Sequence, residues 1–256
     1  MTSGPDWATL RAACCYEDEA VLALNKPAGI SVMGERHDTD LVRLAEAAGE
    51  TLYPVHRIDK VTSGLILLAK ELRFHGGLTR QFAQRTAAKQ YVAVVRPGGL
   101  PERGTIDLPL STGRKGRIRI AADRAAIEQH GDPPTWSVPE TAVFDQVRNY
   151  PSLTTFRRLL QAPDADLLEL SPVTGRRHQL RVHLAWIGYA IVGDPLFAAR
   201  DEPAGRTALH SWRLAVDADW AGGRRLQLEA EPGPDFFAVV PGLDTPGPAA
   251  LSAARD

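Results

Sequence analysis

The sequence pattern agrees with a mixed α/β fold. Three observations carry this. Apolar runs of strand length, some alternating and some continuous, recur along the chain. A few segments show helical spacing, as at Leu72, His75, Leu78 and Phe82. Turn chemistry built from Gly, Pro and Asn separates these pieces at short intervals.

The 256 residues suffice for one large domain or two small ones. Hydrophobic content of 44% and charged content of 24% are those of an ordinary globular protein. No apolar run reaches the length of a membrane helix, so no membrane partner is expected. The opening Met1-Thr2-Ser3-Gly4-Pro5-Asp6-Trp7 lacks the basic flank and apolar segment of a secretory signal. The only two cysteines, Cys14 and Cys15, are adjacent, which suits neither a disulfide nor a zinc site. Buried, reduced thiols in a cytoplasmic protein are the expectation.

The net charge of −1 hides a polarised distribution. Between Arg57 and Arg103 stand nine cations and three acids. Arg114, Lys115, Arg117 and Arg119 form a second basic cluster, whereas from Asp217 onward seven acids face three arginines. Charge runs are usually solvated faces; the basic middle gains weight because it surrounds the candidate site described below.

Taken in order, residues 1–13 read as a short N-terminal arm. Residues 14–240 read as one domain without a dividing linker or internal repeat. Residues 241–256 are rich in Pro, Gly and Ala and read as a frayed tail. Within the domain, Cys14 to Leu24 alternates around Glu17-Asp18-Glu19 and suggests a hairpin. Asn25-Lys26-Pro27-Ala28-Gly29 is a turn, followed by a short strand Ile30-Ser31-Val32. Asp38 or Thr39 would cap a helix carrying Leu41, Leu44, Ala45 and Ala48, stopped by Gly49. Glu71 to Gln84 is helical, with His75 on its apolar side. Lys89 to Val95 is an alternating strand.

Short strand-like pieces flank the loop Gly113-Arg114-Lys115-Gly116-Arg117. The loop lacks the Walker spacing, which excludes an NTPase reading. Asp123 to Val138 reads as a loop and Thr141 to Val147 as a strand. Tyr150 to Pro163 fits either an insertion or part of a strand pair. Leu167 to Leu170 is a strand. The helix after Thr174-Gly175 carries Leu180, Leu184 and Ile187 on one face, with Arg177 and Arg181 one turn apart. Arg213 to Val216 and Leu226 to Ala230 read as a closing hairpin around Gly222-Gly223.

The stretch that organises the chain is His56-Arg57-Ile58-Asp59-Lys60-Val61-Thr62-Ser63-Gly64, followed by Leu65-Ile66-Leu67-Leu68-Ala69. The apolar run is a buried strand, and Asp59 lies in the loop that feeds it. Flanking cations favour the ionised carboxylate. By spacing alone, Asp59 is either half of an ion pair at a strand entrance or a nucleophile or general base.

This stretch resembles the signature of the RluA-like family of RNA pseudouridine synthases, roughly His-Arg-Leu-Asp-Lys-Asp-Thr-Ser-Gly followed by aliphatics. The Lys89-to-Val95 strand and Thr174-Gly175-Arg176-Arg177-His178-Gln179-Leu180-Arg181, with Gly193-Asp194-Pro195, match two further family segments. With Asn25-Lys26-Pro27 and Leu209-His210, the resemblance covers roughly Tyr16 to Phe237. It implies a single catalytic domain of the α+β type, with a large, mostly antiparallel sheet flanked by helices and an active-site cleft across one face. It also implies an isomerase that needs no cofactor and no metal, and a partner in ribosomal or transfer RNA.

By the same resemblance Asp59 is the essential carboxylate, Tyr91 the active-site tyrosine, and Arg181 the arginine that pairs with the catalytic Asp. Arg57 would occupy the space left by a displaced nucleotide. His56, Lys60, Lys89, Arg177 and His178 would line the RNA, the histidines orienting loops or touching phosphate. His178 and His183 are five apart, a poor spacing for two metal ligands on a helix, so no metal is expected. The protein is expected to be a monomer. Departures from the pattern are Ile58, Val61, Arg177, Tyr189-Ala190 and Ala198; none removes a proposed catalytic group. An RNA-binding relative without chemistry is the alternative. A carboxylate-dependent hydrolase would want a second acid near Asp59, and the signature stretch around Asp59 holds none.

Overall fold

The computed structural model describes residues 5–35, 39–198, 205–243 and 246–254. It shows the expected mixed α+β architecture, with extensive, mostly antiparallel sheet and flanking helices. The chain forms two compact units: Met1–Tyr91 with Leu209–Gly233, and Val92–Ala208 with Pro234–Asp256. One division falls inside the strand Ala88–Arg96.

In the first unit the strands run in the order Cys14–Glu17, Val21–Lys26, Ser63–Ala69, Leu209–Ala218, Arg224–Glu229. Among these five strands the pairings are antiparallel except one. Leu209–Ala218 lies parallel to Ser63–Ala69, with His210 opposite Ser63 and Ser211 opposite Gly64. All seven residues of Ser63–Ala69 are buried. Side chains alternate between sheet faces, and both faces are covered. Leu65, Leu67 and Ala69 join a cluster with Ala23, Leu78 and Val216. Ile66 and Leu68 join another with Trp7, Leu10, Leu24, Leu41 and Ile58. Coverage on both sides is why this strand reads as an unbroken apolar run. Each Leu or Ile so buried contributes about 1.5–3 kcal/mol relative to exposure.

The helix Leu72–Gln84 supplies Leu78 to the first of these clusters. It ends at Arg85, whose backbone is left-handed. The helix Leu41–Ala47 is capped by Asp40, whose carboxylate accepts the Arg43 N–H at 3.0 Å. Asp40 therefore does the work expected of Asp38 or Thr39; Asp38 lies outside the described residues. The expected strand Ile30-Ser31-Val32 is reduced to a single bridge between Ser31 and Asp40, although Ile30 and Val32 are buried as their character demands.

In the second unit Leu153–Gln161 is bonded on both sides, antiparallel to Asp166–Pro172 and to Arg103–Asp107. The unplaced Tyr150-to-Pro163 segment thus belongs mainly to a strand pair. Asp123 to Val138 is not simply a loop. Glu128–His130 and Thr135–Ser137 form a hairpin around Gly131-Asp132-Pro133-Pro134, and Thr135–Ser137 pairs in parallel with Arg103–Asp107. Its outermost strand is wholly exposed, so polar composition conceals it. Thr141 to Val147 forms no strand. A 3-10 turn spans Glu140–Ala142, and Phe144 N–H bonds the Ala121 carbonyl singly, without a neighbouring ladder. A separate small sheet joins Asn149–Tyr150, Leu110–Thr112 and Ile118–Ile120. The basic loop is the tip of its hairpin.

Three further expectations change. The N-terminal arm contains a helix, Trp7–Ala12, capped by Asp6 on the Thr9 N–H, with Trp7 and Leu10 buried. The tail contains the helix Pro246–Ala253 and a buried Leu251 rather than a frayed end. Cys14 and Cys15 are exposed free thiols, because their strand is the outermost of its unit. Among the described residues no helix is long and apolar enough to cross a membrane.

Candidate active site

The Asp59 loop is fixed from both sides. Upstream, the His56 ring turns inward and stacks on Phe82, centroids 4.6 Å apart and planes 13° from parallel. Its Nε2 accepts the Leu67 N–H at 3.0 Å, so the loop is stitched to the buried strand. An Nε2 that accepts is unprotonated. Burial, helped by the Lys89 charge, pushes the ring down to about 3. His56 therefore brings no charge to a phosphate at neutral pH; the loop-orienting role is the one its contacts support. Ile58 is buried in the cluster with Leu24 and Ile66. Arg57, between these inward neighbours, is exposed.

Downstream, the Asp59 carbonyl accepts the Thr62 N–H at 3.0 Å, closing a turn. The Lys60 carbonyl accepts the Gly29 N–H at 2.7 Å, which ties the signature loop to Asn25-Lys26-Pro27-Ala28-Gly29. That second loop is held in turn by Lys26. Its side chain is fully buried, and its ammonium donates to the Pro27 and Ile30 carbonyls at 2.8 and 2.9 Å. Asp59 is half-buried and Lys60 exposed, the latter 3.9 Å from Glu35.

Tyr91 packs against the same apolar cluster as Ile58. Its phenol feels the Ser211 hydroxyl and the Asp59 charge. Burial first, and Asp59 in addition, raise the phenol to about 12, while Ser211 works in the opposite direction. At neutral pH the phenol therefore keeps its proton. The structure thus brings Asp59 and Tyr91 into one neighbourhood of the first unit. Lys89, on the same strand as Tyr91, is half-buried, and burial followed by the Arg85 charge lowers its ammonium.

Arg177, His178 and Arg181 belong to the second unit. The helix starts only at Gln179, after His178 in a left-handed conformation at φ 56°. Arg177 is thus outside the helix and exposed, whereas Arg181 is 3% exposed, so the two do not share a helix face. Every residue from Gln179 to Ala185 is buried. Arg181 forms a two-pronged pair with Asp194, Nε to Oδ2 at 2.7 Å and Nη2 to Oδ1 at 2.9 Å. A guanidinium fork matches a carboxylate in this way. Asp194 also accepts the Leu196 and Phe197 N–H groups, and the Arg181 guanidinium lies 5.4 Å from the Phe197 ring centre. The His178 ring meets Phe197 edge-on at 6.0 Å.

Gln179 joins the helix to the strands around it. It takes the Thr174 hydroxyl at 2.6 Å and the Arg176 N–H at 3.1 Å, and donates to the Leu153 carbonyl and the Thr154 hydroxyl, both at 3.0 Å. His183 bonds Thr154 through Nδ1 and the Leu108 carbonyl through Nε2, both at 3.0 Å. A carbonyl only accepts, so the proton is on Nε2 and Nδ1 accepts from the hydroxyl. Among the described residues no group of His, Cys, Asp and Glu could hold a metal ion.

Sequence reasoning gave no site role to Ser211 or His210, and named Asp194 only within a matching segment. His210 is held by the Ser63 hydroxyl at 2.8 Å and the Ala230 carbonyl at 2.8 Å. Asp194 stands in the matching Gly193-Asp194-Pro195 segment, but nothing local pairs it with Arg181. Ser211 carries no local signal, because its importance comes from a strand pairing.

The family model for RNA pseudouridylate synthase matches residues 20–186, a span that includes Asp59, Tyr91 and Arg181. The chain belongs to the RNA pseudouridylate synthase family. The "Ribosomal large subunit pseudouridine synthase D" of Nitrosomonas europaea is 33% identical over 242 residues, covering 88% of this chain and 63% of the relative. This chain therefore spans less than two thirds of that relative's length. The "tRNA pseudouridine synthase C" of Pasteurella multocida is 34% identical over 232 residues, covering 84% of this chain and 82% of the relative. The solved structure of "Human RNA Pseudouridylate Synthase Domain Containing 4" shares the synthase fold. Its TM-score is 0.71 at 23% identity, with 91% and 93% of the two chains covered.

Proposed function

We propose that this chain isomerises uridine to pseudouridine in structured RNA, with Asp59 as the catalytic carboxylate. The observation that carries the reading is the clamped Asp59 loop with the protonated Tyr91 phenol beside it. Isomerisation breaks the C1′–N1 bond and forms C1′–C5; C5 loses a proton and N1 gains one. Nothing is oxidised or reduced, and no group is imported. A fixed carboxylate can attack the sugar carbon or the base, or take a sugar proton. A phenol held near its charge offers a flat face for the base and a hydroxyl that donates.

A uridine in folded RNA must first be extruded, at a cost of about a few kcal/mol. Arg57 is exposed between His56 and Ile58, which both turn inward, so its planar cation is presented for the vacated space. Lys60 and Arg177, also exposed, would add salt-sensitive contacts to phosphate. Arg181, fixed by Asp194, is the third residue to which the resemblance gives a role. Relatives are named for ribosomal and for transfer RNA, and the target here is one of these classes. Pseudouridine mapping of total RNA from cells with and without the gene tests the reading. Loss of one or more specific positions is expected; identical maps would contradict it.

A further inference from the structure

The small three-stranded sheet of the second unit gathers exposed positive charge. Its hairpin, residues 110–120, holds Arg114, Lys115, Arg117 and Arg119 and no acid. The tip is closed by its own backbone: the Gly113 N–H donates to the Arg117 carbonyl at 2.7 Å, and the Gly116 N–H to the Gly113 carbonyl at 3.2 Å. Arg114, Lys115 and Arg117 stand exposed around it. Asn149–Tyr150 pairs with the other side of Leu110–Thr112, Tyr150 opposite Leu110. Tyr150 is half-buried, and two guanidinium groups rest on its ring, Arg148 at 5.1 Å and Arg176 at 5.3 Å from the centre. Arg176 reaches the ring because two segments are laced together. The Leu153 N–H donates to the Thr174 hydroxyl at 3.1 Å, and the Val173 N–H to the Leu153 carbonyl at 3.0 Å. The Arg176 N–H is itself held by the Gln179 side chain at 3.1 Å. Among the described residues Arg148, Arg176, Arg114, Lys115 and Arg117 form no ion pair, although Arg103 and Arg157 of the same unit find Glu102 and Glu169.

We propose that Arg148, Tyr150 and Arg176, together with the basic tip, clamp the phosphodiester backbone of RNA, with Tyr150 as the platform that orients both guanidinium groups. A guanidinium lying on a ring keeps its N–H fork for a phosphate. A ring that already carries two such groups is not a free stacking surface for a base, so the clamp reads backbone and not sequence. Length decides between a small anion and a polymer. Lys115 is five residues along the chain from Leu110, the partner of Tyr150, which is roughly 15 Å at the rise of a strand. One phosphate cannot meet charges spread over that distance, whereas a continuous polyanion meets them all and releases its counterions.

The inference rests on RNA as the substrate class of the proposed function, and its test is binding by the full chain, which needs no turnover. A fluorescein-labelled RNA hairpin is titrated by anisotropy at a series of chloride concentrations. The double variant Arg148→Ala, Arg176→Ala should reduce the slope of log affinity against log salt by about 1.4–1.8, the share of two phosphate contacts. An unchanged slope overturns the clamp. Tyr150→Leu should weaken binding while Tyr150→Phe binds like the parent, because the ring carries the guanidinium groups. Equal affinity of a folded Tyr150→Leu protein and the parent overturns the platform; if that variant does not fold, the exposed arginine pair still decides. Inorganic phosphate at matched ionic strength should displace the RNA no better than chloride. Saturable displacement would overturn the backbone reading in favour of a small-anion site. Failure of the proposed function reads differently: pseudouridine maps that do not depend on the gene would contradict the isomerase and leave a salt-slope change in the double variant standing.

Discussion

Gly64 and Ser211 stand opposite each other in parallel strands, so close that a Cβ on the glycine would lie 2.2 Å from the serine carbonyl. The contact joins the signature segment to a strand almost 150 residues later. A methyl group there strikes backbone, which cannot rotate aside. Gly64→Ala is expected to destabilise the fold by about 3 kcal/mol, combining the clash with the cost of a positive φ. Urea unfolding measures it; a change below about 0.5 kcal/mol would mean that the strands separate without penalty.

Arg181 and Asp194 are almost completely shielded from water, with side chains 3% and 0% exposed. Removing Asp194 takes both prongs of the pair from a buried guanidinium. Asp194→Ala should cost about 3–5 kcal/mol in equilibrium unfolding. Asp194→Asn keeps one acceptor and should cost less. An equal loss for both would show that charge compensation is not what the carboxylate provides.

His56 and His183 predict how stability responds to acid. Burial is the largest cause of both shifts, to about 3 and about 4 from an ordinary 6.5. Below pH 6.5 the unfolded chain therefore takes up protons that the native rings refuse. Their contribution is complete above 6.5 and is lost as the pH falls toward 4. Unfolding free energy should decline across that window, and the His56→Gln, His183→Gln double variant should show a shallower slope. An unchanged slope would place the acid sensitivity elsewhere.

Tyr91 keeps its proton far into the alkaline range, since its phenol is raised to about 12. It therefore acts through its hydroxyl and not as a phenolate. Tyr91→Phe should lower turnover far more than RNA affinity, compared by single-turnover rates and by titration binding. Equal losses in both would assign the ring to binding alone.

Local pattern made much of the fold legible. Leu65 to Leu68 announced a buried strand, and Gly222-Gly223 marked the turn of the last hairpin, because each signal lies within a few residues. The parallel Gly64–Ser211 pairing was not legible, since its partners share no local signature. The hairpin at Glu128–His130 was hidden because its outer strand is exposed and polar. At Thr141 to Val147 an apolar alternation existed but no neighbouring strand received it. Arg177 was placed one turn from Arg181 on a helix, because helical spacing does not reveal that His178 is left-handed and the helix begins after it. In the candidate site, Asp59, Tyr91 and Arg181 were found by resemblance. The loop-orienting role of His56 was among the expectations, whereas the pairing of Asp194 with Arg181 became clear only from their contacts.

The central claim concerns the carboxylate of Asp59, and one assay addresses it directly. Purified Asp59→Ala protein, with circular dichroism and melting temperature like those of the parent, is incubated with an RNA that the parent modifies. Pseudouridine is then counted at the target position. The account predicts none. Conversion at the parent's rate would contradict it.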